Sequence, residues 1–190
     1  MSIRVHSWFF FASPCCVHSW FVEVSEVDTE AGRAFVIETM MAVVDGLRSA
    51  YAKVGELVYF GRMLDKIRLA DQNKLPAGYN LGDQVLTWFD GNCCRFLHVQ
   101  YTEIVSRVRS GYSDEQVLEW AYETGRRPTQ EEIIIWNLFM AKRGWRDKAA
   151  ASLNRWKTEL GFRDRNDIQT FFDLYDADEG REIGSGYSPD

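Results

Sequence analysis

From Gly46 onward the apolar positions recur at helical spacing. Leu57, Phe60, Leu64 and Ile67 fall at i, i+3, i+7 and i+10, which at about 100° per residue is one stripe of an amphipathic helix. Ser49 is the expected N-cap of this helix, and Asn73 and Pro76 its stop. Lys74 to Gly82 holds Pro76, Gly78, Asn80 and Gly82 and reads as a loop. Asp83 to Phe89 reads as one or two helical turns and Asp90-Gly91-Asn92 as a further turn. Tyr101 to Arg109 carries Ile104, Val105 and Val108 at helical spacing and is closed by Gly111. Ser113-Asp114-Glu115-Gln116 and Thr129-Gln130-Glu131-Glu132 are capping boxes, the second just after Pro128. Asp147 is the expected cap of a helix running to Leu160 with Gly161 as its C′ residue, and Asp167 the cap of a last helix through Tyr175. No segment alternates with a period of two between turn signals. The pattern predicts an all-α, single-domain bundle of about seven short helices plus one longer helix, with no sheet required.

The chain before this pattern is of another kind. Val5-His6-Ser7-Trp8-Phe9 recurs as Val17-His18-Ser19-Trp20-Phe21, a single short repeat and not a solenoid, which stacks units of about 20–50 residues. The apolar run from Trp8 to Ala12 is too short to span a bilayer, which takes about 20 residues. Pro14 and Cys15-Cys16 stand where a secretion signal would place small residues at its cleavage site. We read residues 1–45 as an N-terminal extension, poorly ordered or added by an early start codon, since Met40 and Met41 immediately precede the patterned region. Residues 46–181 form the helical domain, and 182–190 a disordered tail.

Composition narrows the chemistry. Of 190 residues, 46% are apolar and 26% charged, ordinary globular usage. The 22 basic against 28 acidic residues give −6, which speaks against nucleic acid as a partner; no membrane association is expected either. Residues 1–40 hold 2 basic and 5 acidic residues, leaving 20 against 23 for the rest, so the body is close to neutral. His98 is the one histidine of the body, and Cys93-Cys94 lack any zinc spacing. No metal site is expected and no cofactor is indicated. Nothing asks for an oxidising compartment, and a cytoplasmic location is expected. There is no phosphate-binding glycine loop, dinucleotide fingerprint, HExxH or GxSxG elbow. In Asp176 to Tyr187 the glycine of a calcium loop falls one position early and the closing acid is Tyr187, so the EF-hand pattern fails.

Three places break the helical pattern in ways that suggest a site. Arg62, Asp65 and Lys66 share an arc of roughly 100° on the first helix. Val54 and Val58 fall near that arc, so the helix is expected to be buried on more than one side and to offer its charges to a cleft. Asn137 lies inside the all-apolar run Ile133 to Met140. An unpaired buried carboxamide costs about 1–3 kcal/mol, so it either ties down a neighbouring loop backbone or orients a ligand. The stretch Phe171 to Arg181 mixes acids and aromatics, with Arg181 placed to pair with Asp173 or Asp176 and Gly180 to close the helix. Arg126-Arg127 before a helix start reads as a solvated turn.

Gly46-Leu47-Arg48-Ser49, the run Val58 to Arg68, Gly91 to Leu97, Ser113-Asp114-Glu115, Glu132 to Asn137 and Phe172 to Arg181 together resemble the bacterial family called domain of unknown function 5069. The resemblance covers about Gly46 to Arg181, with Ala50 where family members carry Pro. It implies a helical, cytoplasmic domain and transfers no catalytic residues. Two functions follow. The first is a site for a small anionic molecule, binding or catalytic, lined by Arg62, Asp65, Lys66, Asn137 and Asp173. Asp65 and Asp173 would be its acid/base groups, Arg62, Lys66 and Arg181 its anion holders, and Tyr59, Trp120 and Trp136 its walls. The alternative is a non-catalytic helical interaction module whose polar clusters are structural. Convergence of the polar residues on one pocket favours the first; an exposed apolar patch favours the second.

Overall fold

A computed structural model describes residues 43–184. Residues 1–42 of the expected N-terminal extension, with its repeat, and residues 185–190 of the tail lie outside the described residues. Among the described residues a two-stranded hairpin, β1 (Lys53–Val54) and β2 (Leu57–Val58), precedes seven helices: α1 (Phe60–Asp71), α2 (Phe89–Leu97), α3 (Tyr101–Arg109), α4 (Asp114–Thr124), α5 (Gln130–Ala141), α6 (Ala150–Glu159) and α7 (Phe171–Asp178). The all-helical class holds. Among the described residues no single helix is markedly longer than the rest, since α1 and α5 reach 12 residues each.

The long first helix is divided. Gly55-Glu56 turn the chain, Lys53 pairs with Val58 and Val54 with Leu57, antiparallel. Ser49 therefore caps no helix, and the apolar stripe that begins at Leu57 starts on a strand. Two-residue strands are too short to show alternation. Tyr59 joins the hairpin to α1 at φ +69°, a left-handed conformation that strains a bulky residue. Its surroundings hold it there: the ring packs 5.2 Å from Phe89 and 5.8 Å from Phe172, and the hydroxyl donates to Asp90.

Helix α1 is central. Nine of its residues are buried, from Phe60 through Ile67 and at Leu69, because the hairpin, α2 and α3 all pack on it. Gly61 is required by this packing: a Cβ there would lie 2.8 Å from Val54 Cγ2. Phe60, Met63, Leu64, Leu97, Ile104, Val117, Met140 and Phe172 form the main core with the buried free thiols Cys93 and Cys94. A smaller cluster, Leu153, Phe162, Ile168, Leu174 and Ala177, lies between α6 and α7, and Phe171 packs against both.

Local signals fixed most helix ends. The capping boxes at Ser113 and Thr129 form, each side chain accepting from the third helical residue. Asn73 and Gly111 follow α1 and α3, and Gly161 and Gly180 follow α6 and α7, as the pattern predicts. Three ends differ. Asp147 accepts from the Gly144 and Ala149 amides and tightens a turn ahead of α6. Thr170, not Asp167, caps α7, because Asp167 is drawn outward into an ion pair with Arg165. Asp90-Gly91-Asn92 lies inside α2, whereas 83–88 is irregular and extends the loop that begins at Gln72.

Candidate functional site

The charged residues of α1 lead to two separate groups. On one flank, Arg62 faces the end of α7. Its guanidinium grips both carboxylate oxygens of Glu179, one at 3.0 Å, and donates to the Arg48 carbonyl at 2.8 Å. Glu179 also takes Arg181 and, at 2.9 Å, the Tyr79 hydroxyl, while Arg181 donates to the Leu47 carbonyl. Arg62 lies 5.1 Å above the Tyr175 ring. Burial opposes the Arg62 charge, yet bidentate bonding to Glu179 outweighs it and raises the pKa. The Glu179 carboxyl, also opposed by burial, is held below its usual value by Arg62 and Arg181.

One turn on, Lys66 donates to Asp90 at 2.7 Å, to the Asn80 carbonyl at 2.6 Å and to Tyr59 at 3.1 Å. Asp90 receives the Gly82 amide at 3.0 Å. Burial pulls the Lys66 pKa down against Asp90, and burial followed by Asp90 pushes Tyr59 well up. Loop 72–88 thus closes over both ion pairs through Tyr79, Asn80 and Gly82.

Asp65 has a different partner. Arg48 binds it through two nitrogens at 2.5 and 2.7 Å. Arg68 and Arg48 also share Asp114, at 2.6 and 2.7 Å, which ties α1 to the start of α4. Asp173 sits in the α7 capping box. It accepts the Gln169 and Thr170 amides at 2.9 Å each and the Tyr51 hydroxyl at 2.6 Å. Arg181 pairs with Glu179 rather than with Asp173 or Asp176. Asp176 is fully buried, and burial pushes its carboxyl up.

Asn137 ties down the hairpin: its Oδ1 accepts the Val58 amide at 3.1 Å and its Nδ2 donates to the Glu56 carbonyl at 2.8 Å. Trp136 stacks on Phe96 with centroids 4.4 Å apart. The structure therefore brings Arg62, Lys66, Tyr59 and Arg181 into one layer under loop 72–88, and sends Asp65, Asp173, Asn137 and Trp136 to four other places. Asp173, with Tyr51, Ala141, Lys142 and Gly184, borders a depression of about 290 Å³. A second, of about 420 Å³, lies between the hairpin turn, α4 and α5 and includes none of the candidate residues.

The partners Glu179, Asp90, Arg48 and Asp114 were not among the residues singled out by the sequence. Glu179 had a signal, since it stands in the acidic run before Gly180-Arg181. Asp90 was concealed by the adjacent glycine, which made it look like part of a turn.

The remaining feature is on the outside. Helix α5 buries Ile133, Trp136, Asn137, Met140 and Ala141, but Ile134 (43%), Ile135 (59%), Leu138 (42%) and Phe139 (47%) are exposed. Trp145 beyond its end is exposed as well. Among the described residues no group of three or more His, Cys, Asp or Glu is placed to hold a metal ion, and no helix is long and apolar enough to cross a membrane.

A helical domain centred on a charged, buried helix and bearing one apolar outer face is the class of protein that these features define. Residues 44–181 match the family model described as Domain of unknown function (DUF5069), and the chain belongs to that family. No curated protein matches the chain.

Proposed function

We propose that this domain is a non-catalytic interaction module that docks an amphipathic partner helix on the outer face of α5. The observation that carries the reading is the row of four large, exposed apolar side chains on one side of a helix whose other side is built into the core. Single exposed apolar residues are ordinary, whereas a contiguous set marks an interaction surface. Full burial of such side chains is worth about 1.5–3 kcal/mol each, so even partial cover by a partner is a substantial gain. A helix suits the face because ridges on one helix seat in the grooves of another.

The polar residues support the same reading. Arg62, Lys66 and Arg48 each hold a carboxylate, so an anionic ligand would have to displace Glu179, Asp90 or Asp65. The two buried free thiols fit a reducing, cytoplasmic setting. The test is a photo-crosslinking amino acid placed at Leu138 in the cell, with a control at the exposed Arg155 of α6. We expect an adduct at 138 whose cross-linked peptide, sequenced by mass spectrometry, has an apolar helical stripe, and none at 155. No adduct at 138, or equal adducts at both positions, overturns the reading.

A further inference from the structure

We infer that the partner helix is α5 of a second copy of this chain, running antiparallel across a two-fold axis between Trp136 and Asn137. This rests on the reading of α5 as a docking face and names its occupant. Six of the exposed side chains of the helix and its C-cap, Gln130 at the very start aside, form three pairs, each equidistant from that midpoint: Ile135 with Leu138, Ile134 with Phe139, and Glu131 with Lys142. In a two-fold antiparallel helix pair, each residue meets the one equally far on the other side of the axis. Ile135 then meets Leu138, Ile134 meets Phe139, and Glu131 meets Lys142 of the other copy. Every apolar residue finds an apolar one and every charge its opposite.

The angular placement agrees. At about 100° per residue the six side chains span an arc of about 140°. This arc is opposite the one that buries Ile133, Trp136, Asn137, Met140 and Ala141. Among the described residues neither Glu131 nor Lys142 has an ion-pair partner within its own chain, so both are free for an intermolecular one. Each also sits at the helix end that favours its sign, the acid in the first turn and the base at the C-cap. Parallel pairing would set Glu131 against Glu131 and Lys142 against Lys142, a like-charge arrangement that selects against that orientation. One helix pair covers less than the roughly 800 Å² per partner of a standard interface, so the dimer is a weak, concentration-dependent one.

The test uses the full 190-residue chain in analytical ultracentrifugation, at concentrations up to about 1 mM, near the weak limit of specific association. The wild-type mass should rise toward twice that of the chain, and L138E should abolish the rise. E131K and K142E should each weaken association by about tenfold, because symmetry enters each charge twice. E131K/K142E on one chain should restore it to the wild-type level. Melting curves matching the wild type confirm that each variant folds, and I135S replaces L138E if the latter does not. A chain that stays monomeric, association that survives L138E, or a double variant no better than the singles overturns the inference. If the chain is monomeric yet position 138 cross-links to a helix of another protein, this inference fails while α5 stands as a docking face. If position 138 yields no adduct at all, the docking reading itself fails.

Discussion

Arg62 and Glu179 are 2% exposed each, and a buried ion pair of this kind is costly to break. Removing one partner strands a charge and costs about 3–5 kcal/mol, whereas exchanging both for apolar residues is often neutral. R62M and E179Q are therefore expected to destabilise strongly, as measured by urea unfolding, and R62M/E179L to recover only part of that loss, because it leaves Arg181 and the Tyr79 hydroxyl without Glu179. Two neighbouring acids respond to pH with opposite sign. Glu179 has a lowered pKa, so its contribution is present above its ordinary value of 4.5 and is lost as the pH falls through the lowered one. Asp178 is pushed up to about 6, by burial first and then by the charge of Glu179. Its contribution is present below its ordinary 3.8 and is lost as the pH rises to about 6. D178N should accordingly raise the melting temperature above pH 6 and leave it unchanged below pH 4. A melting series that shows the same gain at every pH would contradict this assignment. At Asn137 the side chain serves two backbone groups of the hairpin, and N137A should cost about 1–3 kcal/mol without altering α5's outer face.

At the level of elements, what was legible in the sequence was what is local. The capping boxes at Ser113 and Thr129 stand within four residues of chain, and the structure places both where the sequence did. The hairpin was not legible, because a two-residue strand carries no period and its stability comes from Asn137, about eighty residues on. The cap of α7 was misplaced for a related reason. Asp167 and Thr170 are both competent caps, and their side-chain partners decide between them: Asp167 pairs with Arg165, while the tertiary bond from Tyr51 to Asp173 supports the box at Thr170. The candidate cluster behaved likewise. The placement of Arg62 and Lys66 on one flank of α1 follows from helical spacing, but Glu179 and Asp90 come from elements whose approach no local signal encodes. One junction yields a sharp test. At Gly125, between α4 and α5, a Cβ would stand 2.0 Å from the Leu97 carbonyl oxygen, and backbone cannot yield as a flexible side chain does. G125A is expected to cost about 1–3 kcal/mol or more, read as a lower urea midpoint with an unchanged slope.

For the molecule as a whole, the two apolar clusters are unequal. The larger gathers the hairpin and α1–α5 around Phe60 and Phe172, whereas the smaller has five buried residues between α6 and α7. Regions with few buried contacts open at lower free energy, so amide exchange should be fastest in α6 and slowest in α1. Protection of α6 equal to that of α1 would show instead that the two clusters open as one. Phe171, packed against both, is the coupling between them, and F171A should widen the difference.

The pairing of α1 with the last helix also bears on how the protein is made. Arg62 and Glu179 are 117 residues apart, and at about 5–20 residues per second roughly 6–23 s pass between their synthesis. Throughout that interval α1 has its Arg62 charge but not the acid that neutralises it, and burying the helix then would strand a cation. Among the described helices, the one made first thus gains the partner of its buried charge only when the last has been made.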